Sequence, residues 1–165
     1  MRQITCPICR QSPEIKLQAF SHRPCVGCGN RWTYLPEELD SAALYEDAVY
    51  AIVDNRKSIF ERIISREAKK ILQTADSLVE PSARRLLDFG SGKGIFLAAA
   101  KAVGWQGLGI ETAKDRAAFA REKYGADVLQ EFYSGGVLNG GAFDFVALNH
   151  DLEHLPDPLG LLTEL

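Results

Sequence analysis

Apolar residues recur at spacings of three and four through residues 57–75: Ile59, Phe60, Ile63, Ile64, Ala68, Ile71, Leu72 and Ala75. That period predicts an amphipathic helix with one face for packing. From Arg85 the pattern changes to short apolar runs set between helical stretches. Arg85–Phe89, Gly107–Ile110, Asp127–Leu129 and Phe143–Leu148 read as four strands. Between them, Ile95–Val103 is alanine-rich and helical, with Gly104 placed as a C-terminal cap. Thr112 and Asp115 resemble a capping box opening a helix that runs to Tyr124, with Gly125 past its end. Asp157-Pro158 supplies an N-cap and a first-turn proline before the apolar turns of Leu159, Leu161, Leu162 and Leu165. This alternation predicts an α/β fold, a Rossmann-like parallel sheet with helices on both faces.

Upstream the pattern is weaker. Pro36-Glu37-Glu38 marks a helix start, and Tyr45, Ala48, Val49 and Tyr50 suggest a partly buried segment within residues 40–56. Glu80-Pro81-Ser82 breaks the chain. The expected organisation is a small module over 1–35, a helical linker over 36–80 and an α/β domain over 81–165.

Charge sharpens that division. Residues 1–35 hold five basic residues (Arg2, Arg10, Lys16, Arg23, Arg31) against one acid, Glu14, although the whole chain carries a net charge of −3. Four thiolates around one Zn²⁺ would bring this head from +4 to about +2, too little to favour nucleic acid as a partner. No apolar run approaches the roughly 20 residues of a membrane helix, and the N-terminus lacks an apolar secretion segment. A cytoplasmic location and no membrane partner are expected.

All four cysteines lie in the head: Cys6, Cys9, Cys25 and Cys28, spaced C-x2-C-x15-C-x2-C. The spacing is that of a structural zinc site, in which two knuckles complete a tetrahedron and leave no position for substrate. Gly27 and Gly29 give the second knuckle backbone freedom. Residues 15–20 and the RWTYL run are candidate strands of a zinc ribbon, and His22 is expected in an exposed loop. Metal binding would supply much of the folding free energy of so small a unit. Disulfides and C-x-x-C redox chemistry are the disfavoured alternatives.

The stretch LLDFGSGKG, residues 86–94, carries the remaining chemistry. A Walker A loop needs Ser or Thr after Gly-Lys, but Gly94 follows Lys93. The nicotinamide fingerprint needs a third glycine where Ile95 stands. What remains is D-x-G-x-G-x-G: Asp88, Gly90, Gly92 and Gly94. Glycines let a ligand approach the backbone and expose N–H groups near a helix start. Asp88, at a strand end, can meet a cationic group. Glu111 ends the second strand, 21 residues beyond Gly90, where an acid can accept hydrogen bonds from a ribose diol.

Together LLDFGSGKGIFL, GLGIE and FDFVALNHDLEHLPDP resemble a class I S-adenosylmethionine-dependent methyltransferase over residues 84–165, here preceded by a zinc-ribbon-like module. The resemblance implies that Asp88, Gly90, Gly92 and Gly94 line the methionine portion of the cofactor and that Glu111 binds its ribose. It sets residues 130–132 beside adenine, though they depart from the small-acid pattern common there. Asn149 and His150 would face the sulfonium and the substrate pocket. His150 is a candidate general base where the acceptor must lose a proton, and His154 a weaker one; both also read as structural turn residues. The favoured acceptor is a small molecule such as a sugar or other metabolite. Ribosomal RNA as acceptor, and a non-catalytic zinc-ribbon binding module with a cofactor-binding remnant, are the alternatives. The family's fold has seven strands and four are read here. The chain is therefore expected to be truncated or a fragment, the alternative being a minimal domain completed by dimerisation.

Overall fold

The computed structural model describes residues 5–12, 22–33, 54, 56–80, 82–131, 143–155 and 157–165. The expected strand over 15–20, the helix start at 36–38, the segment 40–53, Pro81 and Phe132 lie outside the described residues.

In the head, β1 (His22–Pro24) pairs antiparallel with β2 (Arg31–Thr33), His22 opposite Thr33. The backbone of His22 is thus in a strand, not the loop expected for it. The hairpin between them is the second cysteine knuckle.

The long amphipathic helix is α1 (Ile59–Asp76). Ser58 caps it by accepting the Glu61 amide at 3.2 Å. Its buried stripe is Ala68, Leu72 and Ala75. At its far end Asp76 accepts from Trp105 Nε1 at 3.0 Å and pairs with Arg84 at 3.3 Å, so α1 is tied to the sheet's start.

The body is a four-stranded parallel sheet in the order β5-β4-β3-β6. Its strands are β3 (Arg85–Phe89), β4 (Gln106–Glu111), β5 (Asp127–Gln130) and β6 (Phe145–Leu148). The fourth strand starts later than the apolar run predicts. Asp144 is occupied instead as an anchor: its carboxylate takes the Arg85 amide and guanidinium at 2.9–3.1 Å, and its own amide donates to the Arg85 carbonyl. Helix α2 (Ile95–Ala102) connects β3 to β4, α3 (Lys114–Phe119) follows β4, and α4 (Pro158–Glu164) ends the chain.

Alternation along β3 sends its side chains to two cores. Leu86 joins Ala68 and Leu72 of α1, Phe96 and Leu97 of α2, Ala117 of α3 and Val128 of β5. Leu87 and Phe89 join Ile110 and Leu161 of α4. Helices therefore cover both faces, as the alternation predicts.

Two local expectations change. The N-cap of α3 is Ala113 with no side-chain cap: the Thr112 hydroxyl turns instead to Glu111 Oε1 at 3.5 Å, the oxygen that also takes the Ala113 amide at 2.8 Å. The helix expected to reach Tyr124 changes to a π-helical turn over Ala120–Tyr124, ended by Gly125 at φ 58°. Tyr124 then donates to Glu61 at 2.5 Å and ties this turn to α1.

Candidate cofactor crevice and cysteine cluster

The chain runs β3, β4, β5 to one side, then returns to place β6 on the other side of β3. In such sheets this reversal, beyond the carboxyl ends of β3 and β6, marks the usual position of a ligand crevice. Phe89 and Leu148 are in register, so both strands end level beneath it.

The glycine loop crosses this crevice. Gly90, Gly92 and Gly94 have φ of 71°, 54° and 80°, values that L side chains adopt only with strain. Gly94 also leads directly into α2, and a Cβ there would lie 2.8 Å from Ala120 Cβ of the π-helical turn. The loop N–H groups are less available than the sequence predicts. Ser91 N donates to the Ile110 carbonyl at 2.9 Å, Gly94 N to the Ser91 carbonyl at 2.9 Å, and Gly92 N to Glu111 Oε2 at 2.7 Å. The loop is pinned to β4 before any ligand arrives.

Glu111 is buried and does the pinning with both oxygens: Oε2 takes the Gly92 amide, Oε1 the Ala113 amide. Oε1 also takes the Thr112 hydroxyl at 3.5 Å, a long contact that a ligand donor can displace, and Oε2 keeps a second lone pair. A vicinal diol supplies two such donors.

Asp88 is only 2 % exposed and meets no hydrogen-bond donor among the described residues. Burial first, then the neighbouring charges of Asp151 and Glu111, push its carboxyl up to about 8.

Asp151 is a site residue that the sequence reading missed. His150 adopts φ 62°, rare for a residue with a side chain, and this kink turns the chain back over β3. The Asp151 carboxyl then lies against Gly90 so closely that a Cβ on Gly90 would fall 2.0 Å from it. Burial and the charges of Glu111 and Glu153 raise Asp151 to about 7, with His150 and Arg116 opposing. The available signal was an acid three residues past a strand end, on the strand adjoining Asp88. Asn149 is exposed, and the His150 side chain is 96 % exposed with Glu153 at 3.6 Å. His154 is exposed in a 3₁₀ turn over Leu152–His154.

Three carboxylates thus converge on one glycine loop. Such a crevice favours a cationic ligand with hydroxyl donors and repels a pyrophosphate. The geometry agrees with the failure of both phosphate motifs in the sequence.

In the head, Cys6, Cys9, Cys25 and Cys28 bring their Sγ atoms within 4.8 Å of one another. Two of the separations are 3.7 Å (Cys6 to Cys28) and 3.4 Å (Cys9 to Cys25). A tetrahedron with Zn–S bonds of about 2.3 Å has edges of about 3.8 Å, so the cluster fits that ion. The knuckles repeat one design. Cys6 N donates to Gln11 O and Arg10 N to Cys6 O; Cys25 N donates to Asn30 O and Gly29 N to Cys25 O. Arg10 and Gly29 hold the same positive-φ position, at 61° and 74°. Gly27 serves differently from the expectation: a Cβ there would strike the Gln11 side chain.

The model of the methyltransferase domain family matches residues 56–165. Among solved structures, the chain is similar to the plantazolicin methyltransferase BpumL in complex with a pentazolic desmethylPZN analog and SAH. Identity is 18 %, the TM-score 0.55, and the match covers 67 % of this chain and 44 % of that one. The BpumL complex with the monoazolic analog and SAH gives 16 % identity, a TM-score of 0.55, and coverage of 75 % and 46 %. CalS10, an amino pentose methyltransferase from Micromonospora echinaspora, gives 28 % identity, a TM-score of 0.43, and coverage of 55 % and 39 %. The chain spans less than half the length of these structures. No curated protein matches it significantly. With the family match running from residue 56 to residue 165, and a parallel sheet carrying a glycine loop at its switch point, the chain belongs to the methyltransferase domain family.

Proposed function

We propose that this chain holds the cofactor-binding part of an S-adenosylmethionine-dependent methyltransferase, with a structural zinc module at residues 1–35 and the cofactor domain at 81–165. Within 36–80, α1 shares the core of the cofactor domain and acts as its N-terminal helix. The observation that carries the reading is the crevice itself: a positive-φ glycine loop ringed by Asp88, Glu111 and Asp151 at the switch point.

In this reading Glu111 accepts the ribose hydroxyls, one of them in place of the Thr112 hydroxyl. Asp88 meets the cationic end of the methionine portion, a charge that favours its carboxylate form. Gly90, Gly92 and Gly94 let the ligand lie against the backbone, and Asn149 borders the methyl-transfer side. When bound, S-adenosylmethionine would supply a methyl group already activated on a sulfonium. The protein's own work is then to orient the donor, align an acceptor and exclude water. Cys6, Cys9, Cys25 and Cys28 would hold Zn²⁺, which would supply folding free energy to the head.

The proposed acceptor is a small molecule, supported by the weakly basic head; among the described residues no helix is long and apolar enough to cross a membrane. The test is transfer of labelled methyl from S-adenosylmethionine to candidate acceptors, run on this chain and on the longest reading frame containing it. Labelled product that disappears in Glu111→Ala supports the reading. Binding of the donor without turnover in both proteins would favour the non-catalytic module.

A further inference from the structure

We propose that Asp151 sets the charge specificity of the cofactor crevice: its carboxylate makes the site hold the positively charged sulfonium donor in preference to the neutral thioether product. This rests on the cofactor reading above.

Two observations converge. The first is position. The His150 kink at φ 62° drives the Asp151 carboxyl against Gly90, the first glycine of the loop. The second is Asp88, nine-tenths buried, without a hydrogen-bond partner among the described residues, and within electrostatic reach of both Asp151 and Glu111. Glu111 already has two backbone amides as partners, so its charge is partly spent. Asp88 and Asp151 lack such donors in the described structure; burial and then the charges of Asp151 and Glu111 push Asp88 upward, and burial and then the charges of Glu111 and Glu153 push Asp151 upward. Glu153 adds to the negative field at Asp151; His150 and Arg116 offset part of it.

Methyl transfer changes the ligand in the one respect this field reads. The methyl carbon leaves sulfur for the acceptor, and the electron pair of the broken C–S bond stays on sulfur. A sulfonium becomes a thioether, and the nucleoside loses one unit of positive charge. A carboxylate at the loop therefore stabilises the donor more than the product, and the crevice loosens when transfer is complete. One acid suffices to hold the ammonium that donor and product share. A further acid at the loop is useful against the charge that differs between them.

Titration calorimetry near neutral pH on zinc-loaded protein tests this, with S-adenosylmethionine and S-adenosylhomocysteine as the two probes. The ratio of product Kd to donor Kd should fall roughly three- to tenfold in Asp151→Asn, the effect of losing one partly buried charge contact. The fall should come from weaker donor binding, with product affinity held within about twofold. Glu67→Gln, an exposed acid of α1 paired with Lys70 and remote from the loop, should leave the ratio unchanged. If Asp151→Asn does not fold, Asp151→Ser reads the same ratio. An unchanged ratio in a folded Asp151 variant, with both probes still binding, overturns the proposal and leaves the cofactor reading intact. Failure of the folded wild type to bind either probe overturns the cofactor reading, and this inference with it.

Discussion

Replacing Asp88 with Asn should make the nucleoside-free protein more stable above neutral pH. The Asp88 carboxyl has an ordinary value of 3.8 and sits at about 8 in the fold, with burial the first cause and the charges of Asp151 and Glu111 the next. A rise of about four units, at about 1.4 kcal/mol each, sets a ceiling of roughly 6 kcal/mol. Because the folded value is the higher one, folding takes up a proton between about pH 4 and pH 8. Stability therefore falls as pH rises through that window, and the full penalty stands above it. Below the window both states are protonated and Asp88 costs nothing as a charge. Asparagine cannot ionise, but its amide would be buried without a partner, a cost of about 1–3 kcal/mol at every pH. The difference leaves a gain of about 3 kcal/mol near pH 9 and a small loss near pH 4, with the two proteins crossing close to pH 5. Urea unfolding followed by far-ultraviolet circular dichroism at constant zinc measures the crossing at about pH 5, where the two proteins should be nearly equal, and the gain at about pH 9. A variant that is less stable than wild type by the same amount at both values refutes the reasoning. Asp88 would then be a structural hydrogen-bonding residue and not a charge kept for a ligand.

Other outcomes follow from the same geometry. Gly90→Ala should abolish nucleoside binding and lower stability by about 1–3 kcal/mol, because a Cβ meets both a strained backbone and the Asp151 carboxyl; calorimetry and a melt measure the two effects. Leu72→Ala should cost about 2–5 kcal/mol in a denaturant melt, since Leu72 is fully buried in the core that joins α1 to α2; a loss under 1 kcal/mol would mean that α1 is only a linker. Chelation should remove about one zinc per chain and unfold the knuckles while the helical signal of the body persists, read by elemental analysis and amide exchange.

What was legible in the sequence was local or periodic. The α1 stripe, the strand runs, the cysteine spacing and the glycine loop each announce themselves within a few residues, and the structure places them where that reading does. Glu111, singled out by its spacing of 21 residues beyond Gly90 and its place at a strand end, stands beside the loop and takes the Gly92 amide. The misses depend on contacts between distant segments. Asp151 enters the crevice through a left-handed turn at His150, a conformation that no local pattern in the sequence singles out, and through a β3–β6 register that only the folded sheet supplies. The short strand β1 has three residues, too few to show a period; its pairing follows from the knuckle it leads into. The π-helical turn is invisible to a helical period, yet it brings Ala120 against Gly94. The expected cap of α3 gives way because the Thr112 hydroxyl turns to Glu111 and the helix starts one residue later, after Ala113.

The central claim is that the crevice at residues 88–94 and 111 takes an S-adenosyl nucleoside and no dinucleotide phosphate. Parallel calorimetric titrations of the zinc-loaded chain with S-adenosylhomocysteine and with NAD⁺ test it most directly. The account predicts one-to-one binding of S-adenosylhomocysteine, lost in Glu111→Ala, and no heat from NAD⁺. Binding of NAD⁺ by a folded chain that ignores S-adenosylhomocysteine would contradict it.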